Sequence, residues 1–200
     1  MGTTSTELDD IKKLRDETGA GVMEAKRALQ EAGGSYDKAK KHLETKGAAG
    51  AAKRSGRAAE NGLIEAYIHA GGQIGSLVEL NSETDFVSRM DEFKELAHEI
   101  ALQIAATSPR YLTISDIPEN EVNEMKEEFR KEAVAEGKPE QIAGRIADGK
   151  FKKYSAQVVL MDQPYVRDDS KTIGQLVQDL AAKTRENIVV RRFCRFQVGT

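Results

Sequence analysis

Residue types that commonly perform chemistry occur in this sequence, but their spacing does not complete a catalytic or metal-binding motif. His98-Glu99 begins a zinc-protease-like HExxH sequence, yet Leu102 occupies the position of the second histidine ligand. His42 and His69 fall on separate predicted elements without a ligand residue at suitable spacing. The pattern therefore predicts neither a metal site nor a cofactor. No Ser, Cys or Thr has the sequence frame of a nucleophile, although a triad assembled in space stays open as an alternative.

The glycine-containing stretch TGAG, residues 18–21, contains the Gly-x-Gly that begins a dinucleotide-binding loop. Glu24 occupies the position of the third glycine of that loop, and a helical pattern rather than a strand precedes the stretch. The phosphate-binding pattern GxxxxGK[ST] does not occur in the chain. The sequence therefore predicts that the chain has no nucleotide-binding loop of its own.

The stretch VELNSETDFVSRM, residues 78–90, places a phenylalanine beside an aspartate where a strand pattern gives way to a helical pattern. Thr84 or Ser82 can cap a following turn, and Asp85 suits the positive end of a helix. Two interpretations follow from these residues. Either Phe86 and Val87 pack beneath a sheet as core residues, or Phe86 is a contact for another molecule.

Composition limits the classes of function. The 200 residues carry a net charge of −3, so the overall basic footprint of a nucleic-acid-binding protein is missing. For the basic stretch RRFCR, 191–195, phosphate contact and a solvated sheet face are the alternatives. The chain has no apolar run near the roughly 18 residues of a membrane span, and MGTTSTELDDIKK lacks the features of a signal peptide. With Cys194 as the single cysteine, these features predict a cytoplasmic protein.

Residues 1–47 are predicted to form a three-helix module. The first helix has apolar residues at helical spacing, namely Leu8, Ile11 and Leu14. TGAG interrupts the helical pattern, and a second helix over 22–32 ends at Gly33-Gly34. Ser35 then stands at the start of a third helix.

Residues 48–61 are small and basic and are predicted to be a partly helical linker to a core domain over 62–200. Alternating apolar residues on both sides of Gly71-Gly72 predict a β-hairpin at the start of this domain. Helical patterns then cover 90–106, 118–136, 139–148, 150–160 and 172–185, the last of them capped by Ser170. A final strand over 187–198 completes an α+β fold, in which helices cover a small antiparallel three-stranded sheet.

The final strand, NIVVRRFCRFQV, carries aromatic and other apolar residues on both of its faces. Phe193 lies on one face, and Cys194 and Phe196 lie on the other. Helices can cover one face of such a sheet, and a second copy of the chain would serve to cover the other. We therefore expect a homodimer with these three residues at the contact.

Several blocks of the sequence, in order along the chain, resemble the elongation factor Ts family. They are IKKLRDETGAGVMEAKRAL (11–29), VELNSETDFVSR (78–89), GKPEQIAGRIADGKFKKY (137–154), QPYVRDD (163–169) and NIVVRRFCRF (187–196). The chain resembles the compact form of the family, because it lacks the duplicated core and the coiled-coil insertion of the longer form. In the compact form a second subunit is expected to supply the second half of the core. Ser88, Met90 and Val22 depart modestly from the residues that are usual in the family.

The resemblance implies a guanine-nucleotide exchange factor for elongation factor Tu rather than an enzyme. It implies that four residues act on the partner's GTP-binding domain and disturb its Mg²⁺ site, namely Thr84, Asp85, Phe86 and Val87. It also implies a second partner contact on the N-terminal module, which is similar to ubiquitin-associated domains. The residues of that contact are Leu14, Arg15, Val22, Met23 and Lys26.

Two alternatives remain open at this stage. One is a passive adaptor, whose ubiquitin-associated-like module binds a helix or peptide and requires Met23 but not Phe86. The other is an RNA binder linked to translation, for which the acidic composition is unfavourable.

Overall fold

The computed structural model describes residues 5–199, with side chains described from Glu7 onward. In chain order the helices and strands are α1 (Ser5–Thr18), α2 (Val22–Glu31), α3 (Tyr36–Arg54), β1 (Asn61–Ile68), β2 (Ile74–Ser82), α4 (Asp85–Ser88), α5 (Asp91–Thr107), α6 (Glu119–Ala135), α7 (Glu140–Val158), β3 (Pro164–Tyr165), β4 (Asp168–Thr172), α8 (Ile173–Thr184) and β5 (Ile188–Gln197). The α+β class predicted from the sequence is confirmed.

The described chain divides into two compact units. Unit 1 contains the chain up to Glu65 together with Glu79–His98 and Leu176–Arg191, and unit 2 contains Ala66–Val78, Glu99–Gln175 and the chain from Arg192 onward. Helix α3 continues to Arg54, so the first part of the predicted linker is helical. The predicted division into a module, a linker and a core domain stays a prediction.

Three helices at the start of unit 1 pack around small and aliphatic side chains. Helix α1 is followed by Gly19, which has a φ of +67°, and the Gly19 N–H donates to the Arg15 carbonyl at 2.9 Å. A side chain rarely adopts that φ, so glycine suits this end of the helix. The core that α1, α2 and α3 share consists of Ile11, Leu14, Ala25, Ala28, Leu29, Ala39 and Leu43.

Strands β1, β2 and β5 form the predicted antiparallel three-stranded sheet, in the order β1-β2-β5. In β2, Val78 and Leu80 are fully buried, whereas Leu77, on the opposite face of the strand, is exposed, as the period of two requires. In β1 the alternation is also present, but the apolar residues Ile64 and Ile68 are on its exposed side. The sheet therefore has apolar side chains that the described chain leaves exposed.

Helix α5 carries the apolar stripe that its sequence predicts, because Phe93, Leu96, Ile100 and Ile104 are all buried. The separate helices predicted over 139–148 and 150–160 are wrong, since α7 is one helix that contains Gly149. A glycine inside a helix costs only about 1 kcal/mol. The burial of Phe151 and Val159 in a shared cluster of unit 2 can offset that cost.

The segment between α7 and α8 also differs from the prediction. The predicted loop contains a two-stranded ribbon, in which β3 pairs with β4. Ser170 does not cap α8, because its hydroxyl donates to Asp168 at 2.6 Å. Thr172 has that role, since its hydroxyl accepts from the Gln175 N–H at 3.2 Å and its own N–H donates to the Gln175 side chain at 2.8 Å. Over residues 5–199, no helix is long and apolar enough to cross a membrane.

Candidate functional site

The TDFV turn, residues 84–87, lies between the end of β2 and the start of α5 in unit 1. Thr84 is the N-cap of the single helical turn α4, with extended backbone angles and a side-chain oxygen that accepts from the Val87 N–H at 3.5 Å. Ser82 supports the same turn by donating its hydroxyl to the Thr84 carbonyl at 2.8 Å. The local sequence thus fixes the direction of the two residues between the cap and Val87.

Phe86 and Val87 have opposite environments. The Val87 side chain is 3% exposed, whereas the Phe86 side chain is 76% exposed. Burying a phenylalanine normally stabilises a protein by about 1.5–3 kcal/mol, and this chain forgoes that gain. The interpretation that both residues are core residues is therefore wrong for Phe86, whereas Val87 is buried as that interpretation predicts.

Asp85 lies beside the exposed ring, and its carboxylate pairs with the Arg89 guanidinium at 2.8 Å. The two residues are one helical turn apart, and both side chains are largely exposed. Such an exposed pair contributes little to stability, on the order of 0–1 kcal/mol. The carboxylate therefore remains accessible to a partner molecule.

Residues from another part of unit 1 hold the TDFV turn in place. The Glu186 carboxylate accepts from the Thr84 N–H at 3.0 Å and from the Thr84 hydroxyl at 2.6 Å. The neighbouring Glu83 accepts from the Asn187 N–H at 2.6 Å. Hydrogen bonds to charged acceptors are roughly twice as strong as neutral ones. The turn is thus attached on both sides of the Glu83–Thr84 peptide.

A second exposed apolar surface lies on the N-terminal helices, at the start of α2. Met23 is 70% exposed and Val22 is 50% exposed. Arg15 is exposed and Lys26 is half-buried, so four of the five residues predicted for this contact reach the surface. We name this set the α2 surface: Arg15, Val22, Met23 and Lys26.

Leu14 differs from the other predicted contact residues. Its side chain has 0% exposure and belongs to the core that the first three helices share. A side chain without accessible surface does not touch a partner, so the role predicted for Leu14 is corrected from contact to support. Its spacing from Ile11 had already indicated the apolar stripe of α1.

Glu24, next to Met23, is the centre of a small ion-pair network. Its carboxylate pairs with Lys46 at 2.6 Å and with Arg185 at 3.0 Å. The hydrogen bond from Lys46 lowers the pKa of Glu24 below its usual range, against the opposing effect of desolvation, and Arg185 adds to the lowering. The α2 surface therefore adjoins a carboxylate that stays ionised in neutral solution.

A third apolar surface lies in unit 2, at the end of β5 that contains the predicted dimer contact. Phe196 is 69% exposed, while Phe193 and Cys194 are half-buried. Phe196 borders a groove of about 370 Å³ with Ile68 and Leu77. All three strands of the sheet thus contribute an apolar side chain to one exposed groove.

Within residues 5–199, no group of three or more His, Cys, Asp and Glu side chains could hold a metal ion. The arrangement in unit 1 instead presents apolar side chains on firmly attached turns, which suits contact with another macromolecule. Sequence patterns did not reveal Glu186 as part of this arrangement, because 102 residues separate it from Thr84.

Comparison with known proteins decides the family. A family model described as Elongation factor TS matches residues 23–200. The chain belongs to the elongation factor Ts family. An elongation factor Ts from Coprothermobacter proteolyticus is 56% identical over 94% of this chain and 96% of that relative. The elongation factor Ts of Desulfitobacterium hafniense is 50% identical over 94% of this chain and 87% of the relative. The elongation factor Ts of Moorella thermoacetica is 46% identical over 95% of this chain and 94% of the relative.

The family membership confirms the resemblance that the sequence blocks indicated. The TDFV turn and the α2 surface both lie within or beside the residues that the elongation factor Ts model matches, since that match begins at Met23. Both surfaces are therefore features of a chain that belongs to the elongation factor Ts family.

Proposed function

We propose that the chain is a guanine-nucleotide exchange factor for elongation factor Tu, and that it promotes GDP release during translation elongation. Membership of the elongation factor Ts family supports the proposal. The observation that carries it is the 76% exposure of Phe86 on a turn whose backbone is held by Glu186. An aromatic ring exposed in this way suits insertion into a partner.

Exchange requires differential binding rather than covalent chemistry. A guanine-nucleotide site holds its ligand through backbone amides, a lysine and Mg²⁺. A factor that binds the nucleotide-free partner more tightly than the loaded partner weakens nucleotide binding by the same factor, because coupling between two ligands is reciprocal. The factor itself therefore needs no catalytic group.

Phe86 is the wedge in this proposal. Its ring enters the GTP-binding domain of the partner and displaces the elements that hold Mg²⁺. The ring is exposed in the free chain, so the free energy that its burial provides is gained only when the complex forms. Burial of a phenylalanine contributes about 1.5–3 kcal/mol, and each 1.4 kcal/mol corresponds to about tenfold in affinity.

The other residues of the TDFV turn have supporting roles. Asp85 contacts the partner beside the wedge, and its accessible carboxylate is consistent with that role. Thr84 and Val87 keep the ring in place from the chain's own side, one through the cap and the other through burial.

The α2 surface supplies a second contact to the same partner. Its apolar residues Val22 and Met23 suit a partner helix, and the flexible methionine side chain adapts to the shape of a binding surface. Arg15 and Lys26 add positive charge at its margin. Two linked contacts raise the overall affinity through effective concentration, without any change in either contact.

The experiment that tests the proposal is release of a fluorescent GDP analogue from elongation factor Tu. Release is followed by stopped flow at increasing concentrations of the chain, with the analogue chased by excess unlabelled GDP. The proposal predicts acceleration that rises with concentration and reaches a plateau. If the chain binds elongation factor Tu in calorimetry but leaves the release rate unchanged, the exchange function is wrong and the passive adaptor is favoured.

We also propose that the chain acts as a homodimer, with Phe193, Cys194 and Phe196 at the contact. The groove bordered by Phe196 in unit 2 supports this proposal, because it leaves apolar side chains of the sheet exposed. Light scattering at increasing protein concentration tests it. The expected result is the mass of two chains, and a Phe196→Asp variant is expected to be monomeric. A wild-type chain that stays monomeric at high concentration contradicts the proposal.

A further inference from the structure

The tripeptide Arg185-Glu186-Asn187 connects α8 to β5 and reaches two separate surfaces of unit 1. Arg185 contacts the N-terminal helices, through the pair between its guanidinium and Glu24 at 3.0 Å. Glu186 contacts the TDFV turn, through two hydrogen bonds from Thr84 at 3.0 and 2.6 Å. Consecutive residues of one short loop therefore hold two surfaces that lie about 60 residues apart in the sequence.

Asn187 completes the loop. It is 6% exposed, and its N–H donates to Glu83 at 2.6 Å. Its side-chain amide donates to the carbonyls of Ser55 and Arg57, at 3.1 and 2.7 Å. The residue thus joins the segment after α3 to the residue that precedes the TDFV turn.

The backbone of the loop is held in an uncommon conformation. Arg185 has a φ of +61°, which is rare for a residue other than glycine, asparagine or aspartate. Such a conformation persists where the surrounding contacts determine it, and it is frequent at functional sites. Here it reverses the chain after α8, so that the Arg185 and Glu186 side chains reach different neighbours.

The end of α8 also meets the N-terminal helices directly. A Cβ atom built on Gly19 would lie 2.4 Å from the Lys183 Cα, so the two backbones are already in close contact. The Arg54 guanidinium donates to the Ala181 carbonyl at 3.1 Å. The contact of the helices with α8 is therefore built from backbone approach as well as from side-chain pairs.

We propose that Arg185-Glu186-Asn187 is a positioning junction, which fixes the TDFV turn and the α2 surface relative to one another before a partner binds. The proposal rests on the proposed exchange function and deepens it. Glu186 acts through Thr84 and thereby orients Phe86. Arg185 acts through Glu24 and thereby places Met23. Neither residue needs to touch the partner for its loss to reduce exchange.

The two residues are expected to affect different parameters. A wedge that is displaced by even 1 Å can lose about 10²-fold in rate, so loss of Glu186 lowers the plateau of nucleotide release. Without Arg185 the α2 surface is no longer held in place, and its effective concentration for the partner falls once the TDFV turn has bound. Loss of Arg185 therefore raises the concentration of the chain that gives half-maximal release. A residue that merely stabilised the fold would change both parameters together.

The variants are chosen to keep the fold. Glu186→Ala removes both acceptor atoms, and Glu186→Gln retains one of them. Arg185→Gly removes the guanidinium but keeps the reversed turn, because glycine adopts a positive φ without steric strain. Lys150→Ala is the control, since it removes an ion pair with Glu132 at 2.8 Å in unit 2.

The experiment measures two independent quantities on the full-length variants. The first is amide hydrogen exchange of the free chain, over residues 82–90 and over residues 18–25. The second is the concentration dependence of GDP-analogue release from elongation factor Tu. The first measurement needs no partner, so it separates failure of the junction from failure of the exchange function.

Three results are expected. Glu186→Ala speeds hydrogen exchange over 82–90 by at least about threefold and lowers the plateau of release by about tenfold, with Glu186→Gln between it and the wild type. Arg185→Gly speeds hydrogen exchange over 18–25 and raises the half-saturating concentration by about fivefold. Lys150→Ala changes none of these quantities.

The proposal is overturned if both variants retain wild-type hydrogen exchange in their segments, or if each variant lowers the plateau and the affinity in equal proportion. If the wild-type chain does not accelerate release but hydrogen exchange responds as expected, the exchange function is wrong while the junction is supported.

Discussion

The TDFV turn and the α2 surface expose apolar side chains in opposite ways. The TDFV turn presents one aromatic ring, which is attached through charged hydrogen bonds between Thr84 and Glu186. The α2 surface presents a valine and a flexible methionine on the first turn of a helix, above a core of alanine, leucine and isoleucine side chains. One surface is concentrated on a single side chain whose turn is held by hydrogen bonds, and the other is broader and includes an adaptable methionine.

The difference suits a division of roles. A ring on a held turn can force a change in a partner, because the backbone that carries it is already in place when the partner arrives. An adaptable surface gives affinity, because it follows the shape of the partner without demanding a change. In our proposal the TDFV turn therefore determines the maximal rate of nucleotide release. The α2 surface determines the concentration of the chain that is needed to reach half of that rate.

The largest expected effect comes from Phe86→Ala. Truncating a buried aromatic anchor commonly costs about 2–4 kcal/mol, which corresponds to roughly a 30- to 1,000-fold lower plateau of release. Stopped-flow release of the fluorescent GDP analogue measures it. Ile142→Ala is the matched control, because Ile142 is an exposed apolar residue of α7 in unit 2. If the plateau of release stays within twofold of the wild type in both variants, Phe86 has no role in nucleotide exchange.

Gly19→Ala is expected to disturb the contact that places the α2 surface. The added Cβ would lie 2.4 Å from the Lys183 Cα, at a residue with a φ of +67°. Gly33→Ala is the matched control, because Gly33 has a φ of +62° but no atom within 4 Å of the added Cβ. Overpacking costs typically 1–3 kcal/mol, so chemical denaturation should show a free energy of unfolding about 1–3 kcal/mol lower for Gly19→Ala than for Gly33→Ala. Equal values for the two variants would show that the close approach is unimportant.

Met23→Ala is expected to weaken binding while leaving the plateau of release unchanged. Loss of one adaptable contact of about 1 kcal/mol corresponds to roughly fivefold in affinity. Isothermal titration against nucleotide-free elongation factor Tu measures the change. Leu8→Ala serves as the control, since Leu8 is also exposed on these helices but lies outside the α2 surface. If both variants bind like the wild type, the α2 surface is not a contact.

The smallest expected effect is a pH dependence from Glu24. Its pKa is lowered in the folded chain, chiefly by the hydrogen bond from Lys46, from an ordinary value of 4.5. The carboxylate therefore contributes stability that is present above 4.5 and is lost as the pH falls through the lower folded value. We expect the difference in unfolding free energy between wild type and Glu24→Gln to be constant well above pH 4.5 and to shrink as the pH falls below 4.5. A difference that stays constant as the pH falls below 4.5 would show that the network around Glu24 is not coupled to folding.

The sequence predicted the parts of the fold that depend on long regular patterns. The apolar stripe of α5 and the alternation in β2 are strong signals, and both are confirmed. The break predicted at Gly149 failed, because the burial of Phe151 offsets the intrinsic cost of a glycine within α7. Ser170 is not the cap because α8 begins later, at Ile173, where Thr172 makes the capping hydrogen bonds, and the Ser170 hydroxyl donates to Asp168 instead.

The candidate site was predictable only in part. Thr84 was predicted as a cap from local chemistry, and the structure confirms that interaction. The exposure of Phe86 was not predicted from the residues alone, because the sequence TDFV is also compatible with a buried ring. Glu186 and Asn187 could not be found from sequence patterns, since their contacts with Thr84 and Glu83 join residues more than a hundred positions apart. For Leu14 the apolar stripe of α1 predicts burial and the family resemblance predicts a partner contact, and the side chain is buried.

The measurement that tests the division of roles most directly is the concentration dependence of GDP-analogue release, recorded side by side for Phe86→Ala and Met23→Ala. We predict that Phe86→Ala lowers the plateau and that Met23→Ala raises only the half-saturating concentration. Equal proportional losses of plateau and affinity in both variants would contradict the proposed division between the two surfaces.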